Sequence, residues 1–261
     1  MRRLKTLFAT AMLALSSALW AGEKITVAVA ADLKFAMDEI VAAFQGDHPG
    51  TEVEVIYGSS GKFFTQIQQG APYDLYFSAD IGYPQRLADA GQTASPVRPY
   101  ALGRIVLWSP SRDATQMTLA DLADPAIRKI AIANPKHAPY GKRAEEALRA
   151  AGVWQQVEGR LVMGENIAQT AQFVQTGNAQ VGLIALSLAL NPELAGKGRY
   201  ALIPDNLHQP LEQGFIVTKR AASNGLAKRF AEGPTDWGPF LLQLKAWQEA
   251  EDAKAADAKK P

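Results

Sequence analysis

ITVAVAADLKFAMDEIVAAFQGDHPGTEVEVIY, residues 25–57, holds one complete strand–helix–strand unit. Ile25–Ala30 is a short, apolar run with β-branched residues, the composition of a strand buried on both faces of a parallel sheet. From Asp32 to Phe44, apolar residues fall at Leu33, Ala36, Met37, Ile40, Val41 and Phe44, the spacing of one helical face. Glu52–Tyr57 then resumes a strand pattern. Working outward, Ser59-Ser60-Gly61 opens a helix over 62–69, and YDLYFS at 73–78 supplies a third strand. This β-α-β-α-β order needs crossover connections and predicts a doubly wound, mostly parallel sheet flanked by helices.

A second series of the same kind begins near Arg104. Strand patterns fall at 105–108, 129–133, 159–163 and 181–185, with helical patterns at 142–151 and 168–176. LEQGFIVT at 211–218 is a further strand, leading into C-terminal helices that have no sheet of their own nearby. The expectation is an α/β protein of two lobes with a ligand in the cleft between them. One lobe takes residues 22–103 and 212–261, the other 104–211, so the chain crosses near 98–104 and 207–213. No internal repeat is visible. From about Glu249 the chain is charged and Ala-rich, a helix fraying into a solvated tail.

Residues 1–21 stand apart from this pattern. Arg2, Arg3 and Lys5 precede an uncharged, mostly apolar run over 7–18 and small residues at Ser16, Ser17, Ala18 and Ala21. That order predicts a secretory signal peptide, cleaved after Ala21 or Ala18, and a periplasmic location. Its removal leaves 24 of the 27 basic residues against 26 acidic ones, so the net charge moves from +1 to −2. Such a balance, with no basic stripe, argues against nucleic-acid binding. Cysteine is absent, which excludes disulfides, thiolate metal sites and a lipid-modified N-terminal cysteine. The three histidines, at 48, 137 and 208, share no metal-ligand spacing.

Four loops each follow a strand and open a helix: Ala31-Asp32, Gly58-Ser59-Ser60-Gly61, Ala138-Pro139-Tyr140-Gly141 and Glu165-Asn166-Ile167. Helix starts present unpaired amides and a partial positive charge, and ligands of open α/β sheets sit beyond the carboxyl ends of strands. Two such loops belong to each lobe, so facing pairs can enclose a small anion. Each loop alone has a plainer reading: Ser59 and Asp32 stand where residues cap helices, and the glycines suit a turn.

The chain resembles the periplasmic molybdate-binding proteins of bacterial ABC importers. The resemblance spans nearly all of the mature chain. It rests on AAD at 30–32, YGSSG at 57–61, GAPYDLYFSAD at 70–80, GRIVLWS at 103–109, IANP at 132–135 with APYG at 138–141, and GENI at 164–167. It implies a two-lobed periplasmic-binding-protein fold of type II and a tetrahedral dianion, molybdate or tungstate, held by hydroxyls and backbone amides. No metal beyond that of the oxyanion and no cofactor are expected. Carried over by position, Ser60 gives a hydroxyl and its amide, Tyr140 and Ile167 give amides, and Ala31 and Asp32 fill the first-loop place. The expected partners are the oxyanion and the permease subunits of an importer, with the protein acting as a monomer.

Two positions depart from the family pattern. Ala185 stands where some members carry a tyrosine donor, and Asp32 stands where others carry Ser, Thr or Asn. An ionised carboxylate accepts only and repels a dianion. Asp32 can ionise and oppose the anion, carry a proton and donate, or turn away to cap its own helix, the reading favoured by its place between strand and helix. Lys34 and Lys62 lie near enough in sequence to offset charge. Other oxyanions (sulfate, phosphate or chromate) remain alternatives, because a neutral site sorts them by cavity size. An enzyme is disfavoured. Ser59-Ser60-Gly61-Lys62 matches the S-x-x-K of serine acyl-enzymes, but the S-D-N and K-T-G partner motifs are missing.

Overall fold

The computed structural model describes residues 23–233. Its strands are β1 (Lys24–Ala30), β2 (Glu52–Gly58), β3 (Leu75–Ser78), β4 (Arg98–Gly103), β5 (Ile105–Ser109), β6 (Ile130–Ala133), β7 (Leu161–Gly164), β8 (Val181–Ala185), β9 (Arg199–Leu202) and β10 (Leu211–Val217). They form two sheets, ordered β2-β1-β3-β10-β4 and β7-β6-β8-β5-β9. The main helices are α1 (Lys34–Asp47), α2 (Ser60–Gln68), α3 (Gly82–Asp89), α4 (Pro139–Ala150), α5 (Ile167–Gln175) and α6 (Gly225–Glu232).

Both sheets are mixed. Three strands of each run parallel, β2-β1-β3 and β7-β6-β8, as the crossover units require. The remaining pairings are antiparallel: β10 with β3 and β4, and β5 with β8 and β9. The antiparallel strands are those that carry the chain between the sheets. β4 ends at Gly103 in the first sheet and β5 starts at Ile105 in the second, while β10 brings the chain back.

Burial on both faces explains why the second half of β1, residues 27–30, is wholly apolar. Val27 and Val29 pack with Met37 and Phe44 of α1 and Phe230 of α6. Ala28 points to the other face, with Phe63, Phe64 and Leu87 of α2 and α3. α6 is the part of the expected C-terminal helices that lies within the described residues, and it does return to the first sheet. In the second lobe Trp108, Ile132, Leu148, Val174 and Leu183 lie in one buried cluster. That cluster extends to Ala30, Ala31 and Ala79 of the first lobe, so the lobes meet through small apolar residues. The proposed signal segment and the charged tail lie outside the described residues, among which no helix is long and apolar enough to cross a membrane.

Candidate functional site

Strand register brings the four loops together. Ala30 of β1 is level with Gly58 of β2, so the loops that leave these strands start side by side. Ala133 of β6 is level with Gly164 of β7 in the second lobe. A 3-10 turn over Ala31–Leu33 follows β1, and α2 starts at Ser60 after β2. α4 starts at Pro139, whose missing N–H costs nothing in a first turn. α5 starts at Ile167, capped by Asn166, whose side chain accepts from the Gln169 amide at 2.9 Å. The four starts border one small cavity, and Ala31, Asp32, Ser60, Tyr140 and Ile167 all line it.

Ser60 is prepared as a donor. Its Oγ accepts from the Ala79 amide at 3.0 Å, and its carbonyl accepts from the Tyr76 hydroxyl at 2.7 Å. The Ser60 side chain lines the cavity, where its hydroxyl can donate to a ligand. The Tyr140 and Ile167 amides lie in first helical turns, where the helix offers them no acceptor. No lysine or arginine is among the lining residues. Lys34 pairs with Asp38 at 2.9 Å and Lys62 pairs with Glu165, so neither offsets charge inside the cavity. Among the described residues no group of three or more His, Asp or Glu is placed to hold a metal. This chemistry suits a small anion held by amides, one hydroxyl and converging helix starts.

Asp32 does not cap its helix. No side-chain bond caps the turn at Ala31 or the start of α1. The carboxylate turns inward, where Oδ2 accepts from Gln213 Nε2 at 2.8 Å and from the Tyr140 hydroxyl at 3.2 Å. Gln213 also donates to the Tyr140 hydroxyl at 3.1 Å, which closes a buried three-residue network across the lobes. Two side-chain donors buried beside Asp32 outcompete the local cap. Gly103 makes room for them, because a Cβ there would lie 2.6 Å from the Tyr140 hydroxyl and 2.7 Å from Gln213 Nε2. Asp32 is 4% exposed and its Oδ1 has no hydrogen-bond partner. Burial pushes its pKa up from 3.8 to about 6, against the opposing pull of the Gln213 and Tyr140 donors.

Several residues at the site carry no local signal in the sequence. Gln213 was readable only as a polar residue in an apolar strand. Ser187 donates to the Asp32 carbonyl at 2.9 Å, and His137 meets Ser59 across the lobes. Ala185 is fully buried and does not line the cavity. Ser59, His137 and Glu165 stand in the order hydroxyl, imidazole, carboxylate, yet the hydroxyl is not aimed at a base. Ser59 donates to the His137 backbone carbonyl at 2.5 Å, and Lys62 is held in its ion pair with Glu165. The lysine of the S-x-x-K pattern is therefore engaged away from the serine.

Residues 25–233 match the family described as bacterial extracellular solute-binding protein. The chain is similar to the molybdate-binding protein ModA of Azotobacter vinelandii, 35% identical over 80% of this chain and 83% of that protein. ModA of Rhodobacter capsulatus is 37% identical over 81% of this chain and 82% of its own length. Among solved structures, the periplasmic molybdate-binding protein of Azotobacter vinelandii superposes with a TM-score of 0.74 at 28% identity, covering 81% of this chain and 94% of that one. The sulfate-binding protein SubI from Mycobacterium tuberculosis shares the fold, with a TM-score of 0.61 at 18% identity over 78% of this chain and 79% of that one.

Proposed function

Because this chain belongs to the bacterial extracellular solute-binding proteins, in the group that includes the molybdate-binding ModA proteins, we propose that it captures molybdate and delivers it to an ABC importer. The observation that carries this reading is the convergence of four strand-end loops on one cavity without cationic side chains, with a serine hydroxyl in its wall. Ser60 donates from its hydroxyl and amide. Ala31, Asp32, Tyr140 and Ile167 present backbone amides, and a tetrahedral dianion receives these donors from both lobes. Tungstate, of the same shape and charge, binds at the same place.

The first lobe takes residues 22–103 and 212–261 and the second 104–211. This division is supported by the strands, since those of one sheet lie within 24–103 and 211–217 and those of the other within 105–202. The lobes close on the anion by a hinge at the two crossings. The protein works as a monomer in the periplasm, reached through the signal peptide at residues 1–21. It presents the closed form to the permease subunits, uses no cofactor and catalyses no reaction. Calorimetric titration of the mature chain against molybdate, tungstate, sulfate, phosphate and chromate tests the proposal. The expected result is 1:1 binding of molybdate and tungstate, on the order of −9 kcal/mol or better. An absence of heat and of thermal stabilisation with both anions overturns it.

A further inference from the structure

Ser59 occupies the N-cap position of α2, yet its hydroxyl makes no capping bond. The hydroxyl is used across the lobes instead, donating to the His137 backbone carbonyl at 2.5 Å. With its proton there, Ser59 Oγ is the acceptor for His137 Nδ1 at 2.9 Å. The Gly61 amide donates to the same carbonyl at 2.9 Å. One residue of the second lobe thus holds the residues on both sides of Ser60. The approach is close enough to need glycine, because a Cβ on Gly61 would lie 2.6 Å from the His137 carbonyl oxygen. Around this contact Lys62 of the first lobe pairs with Glu165 of the second, whose carboxylate lies 3.6 Å from His137 Nε2.

We infer that His137 is a positioning residue for oxyanion capture: from the second lobe it grips Ser59 and Gly61 and so aims Ser60 at the anion as the lobes close. The inference rests on the reading of the cavity as the oxyanion site. Two bonds within the first lobe, from the Ala79 amide and the Tyr76 hydroxyl, fix Ser60 whether or not the lobes meet. The three bonds to His137 form only on closure. They add to the stability of the closed state without touching the ligand, and apparent affinity scales with the population of the binding-competent state. Their loss shortens the lifetime of the complex more than it slows capture.

The test is calorimetric titration with molybdate on Ser59→Ala, His137→Ala, the double variant and Ser59→Thr. Small-angle scattering of each with molybdate and thermal unfolding of each without it complete the set. Ser59→Ala, which removes two of the three bonds, should weaken binding roughly five- to twentyfold, and His137→Ala, which keeps the backbone carbonyl and removes only the Nδ1 bond, should weaken it roughly three- to fivefold. The double variant should match Ser59→Ala, because the one bond that His137→Ala removes, from Nδ1 to Ser59 Oγ, is already lost in Ser59→Ala. Ser59→Thr, which keeps a hydroxyl, should recover most of the affinity. Ligand-free unfolding midpoints should stay near wild type, and scattering should show incomplete compaction of the alanine variants. Wild-type affinity in both single variants, or fully multiplicative effects in the double, overturns the inference alone. No molybdate heat with the wild type overturns the oxyanion reading and this inference with it.

Discussion

Ser60 and Asp32 sit at one cavity and should respond oppositely to substitution. Ser60→Ala removes a neutral donor to a charged ligand and should weaken molybdate binding by about 1.5–3 kcal/mol, measured by titration calorimetry. Asp32 carries a raised pKa of about 6, so the folded protein holds its proton more tightly than the unfolded chain, whose value is 3.8. Its contribution to stability is therefore complete below the unfolded value and is lost as pH rises through the folded one. Asp32→Asn should be more stable than wild type at neutral pH, with the difference vanishing in acid. Wild-type affinity for the dianion should fall as pH rises from roughly 6 to 8, with a flat profile and a gain of about tenfold at neutral pH in the variant. Parallel pH profiles sink this account of Asp32. Ser60, Tyr140 and Ile167 could be placed at helix starts from the sequence alone, and those starts border the cavity. The sequence left the direction of the Asp32 side chain illegible, because that depends on Tyr140 and Gln213, brought near only by the fold.

Elements with strong local patterns, such as β1, β8 and α5, stand out in the sequence as apolar runs or helical spacing. β4 and β9 do not. RPYALG holds a proline and a glycine, and RYAL has only four residues; both lie at sheet edges, where proline and short strands are tolerated. α3 was hidden in the same way, because GYPQRLAD opens with a glycine and a proline that mark a turn as readily as a helix start. At α4 the element itself sets the site. Gly141, in its first turn, leaves no room for a side chain, since a Cβ would lie 2.0 Å from the Ala133 carbonyl oxygen at the end of β6. Gly141→Ala should push α4 off the strand and cost roughly 1–3 kcal/mol of stability in denaturant unfolding. Molybdate affinity should fall with it, because the Tyr140 amide moves. A variant as stable as wild type shows that the helix start has room to shift.

For the molecule as a whole, molybdate should compact the protein and raise its unfolding temperature together. Binding at a hundredfold excess over Kd adds about 2.7 kcal/mol to folded-state stability. Small-angle scattering should show a smaller radius at saturation, and an unchanged profile argues for a site formed before the anion arrives. The alternation of strands and helices was legible; the mixed character of both sheets was not, because strand direction depends on pairings distant in sequence. β3 and β10 show the distance, with Ser78 paired to Gly214 across the whole intervening lobe. A chain emerging N-terminus first completes its inserted lobe while the other still exposes the bare edge of β3, and unpaired edges template aggregation. Refolding should accordingly run in two phases, a contiguous unit early and a discontinuous one late, because long-range pairing is slow. The interval between them is when the molecule is most exposed to self-association.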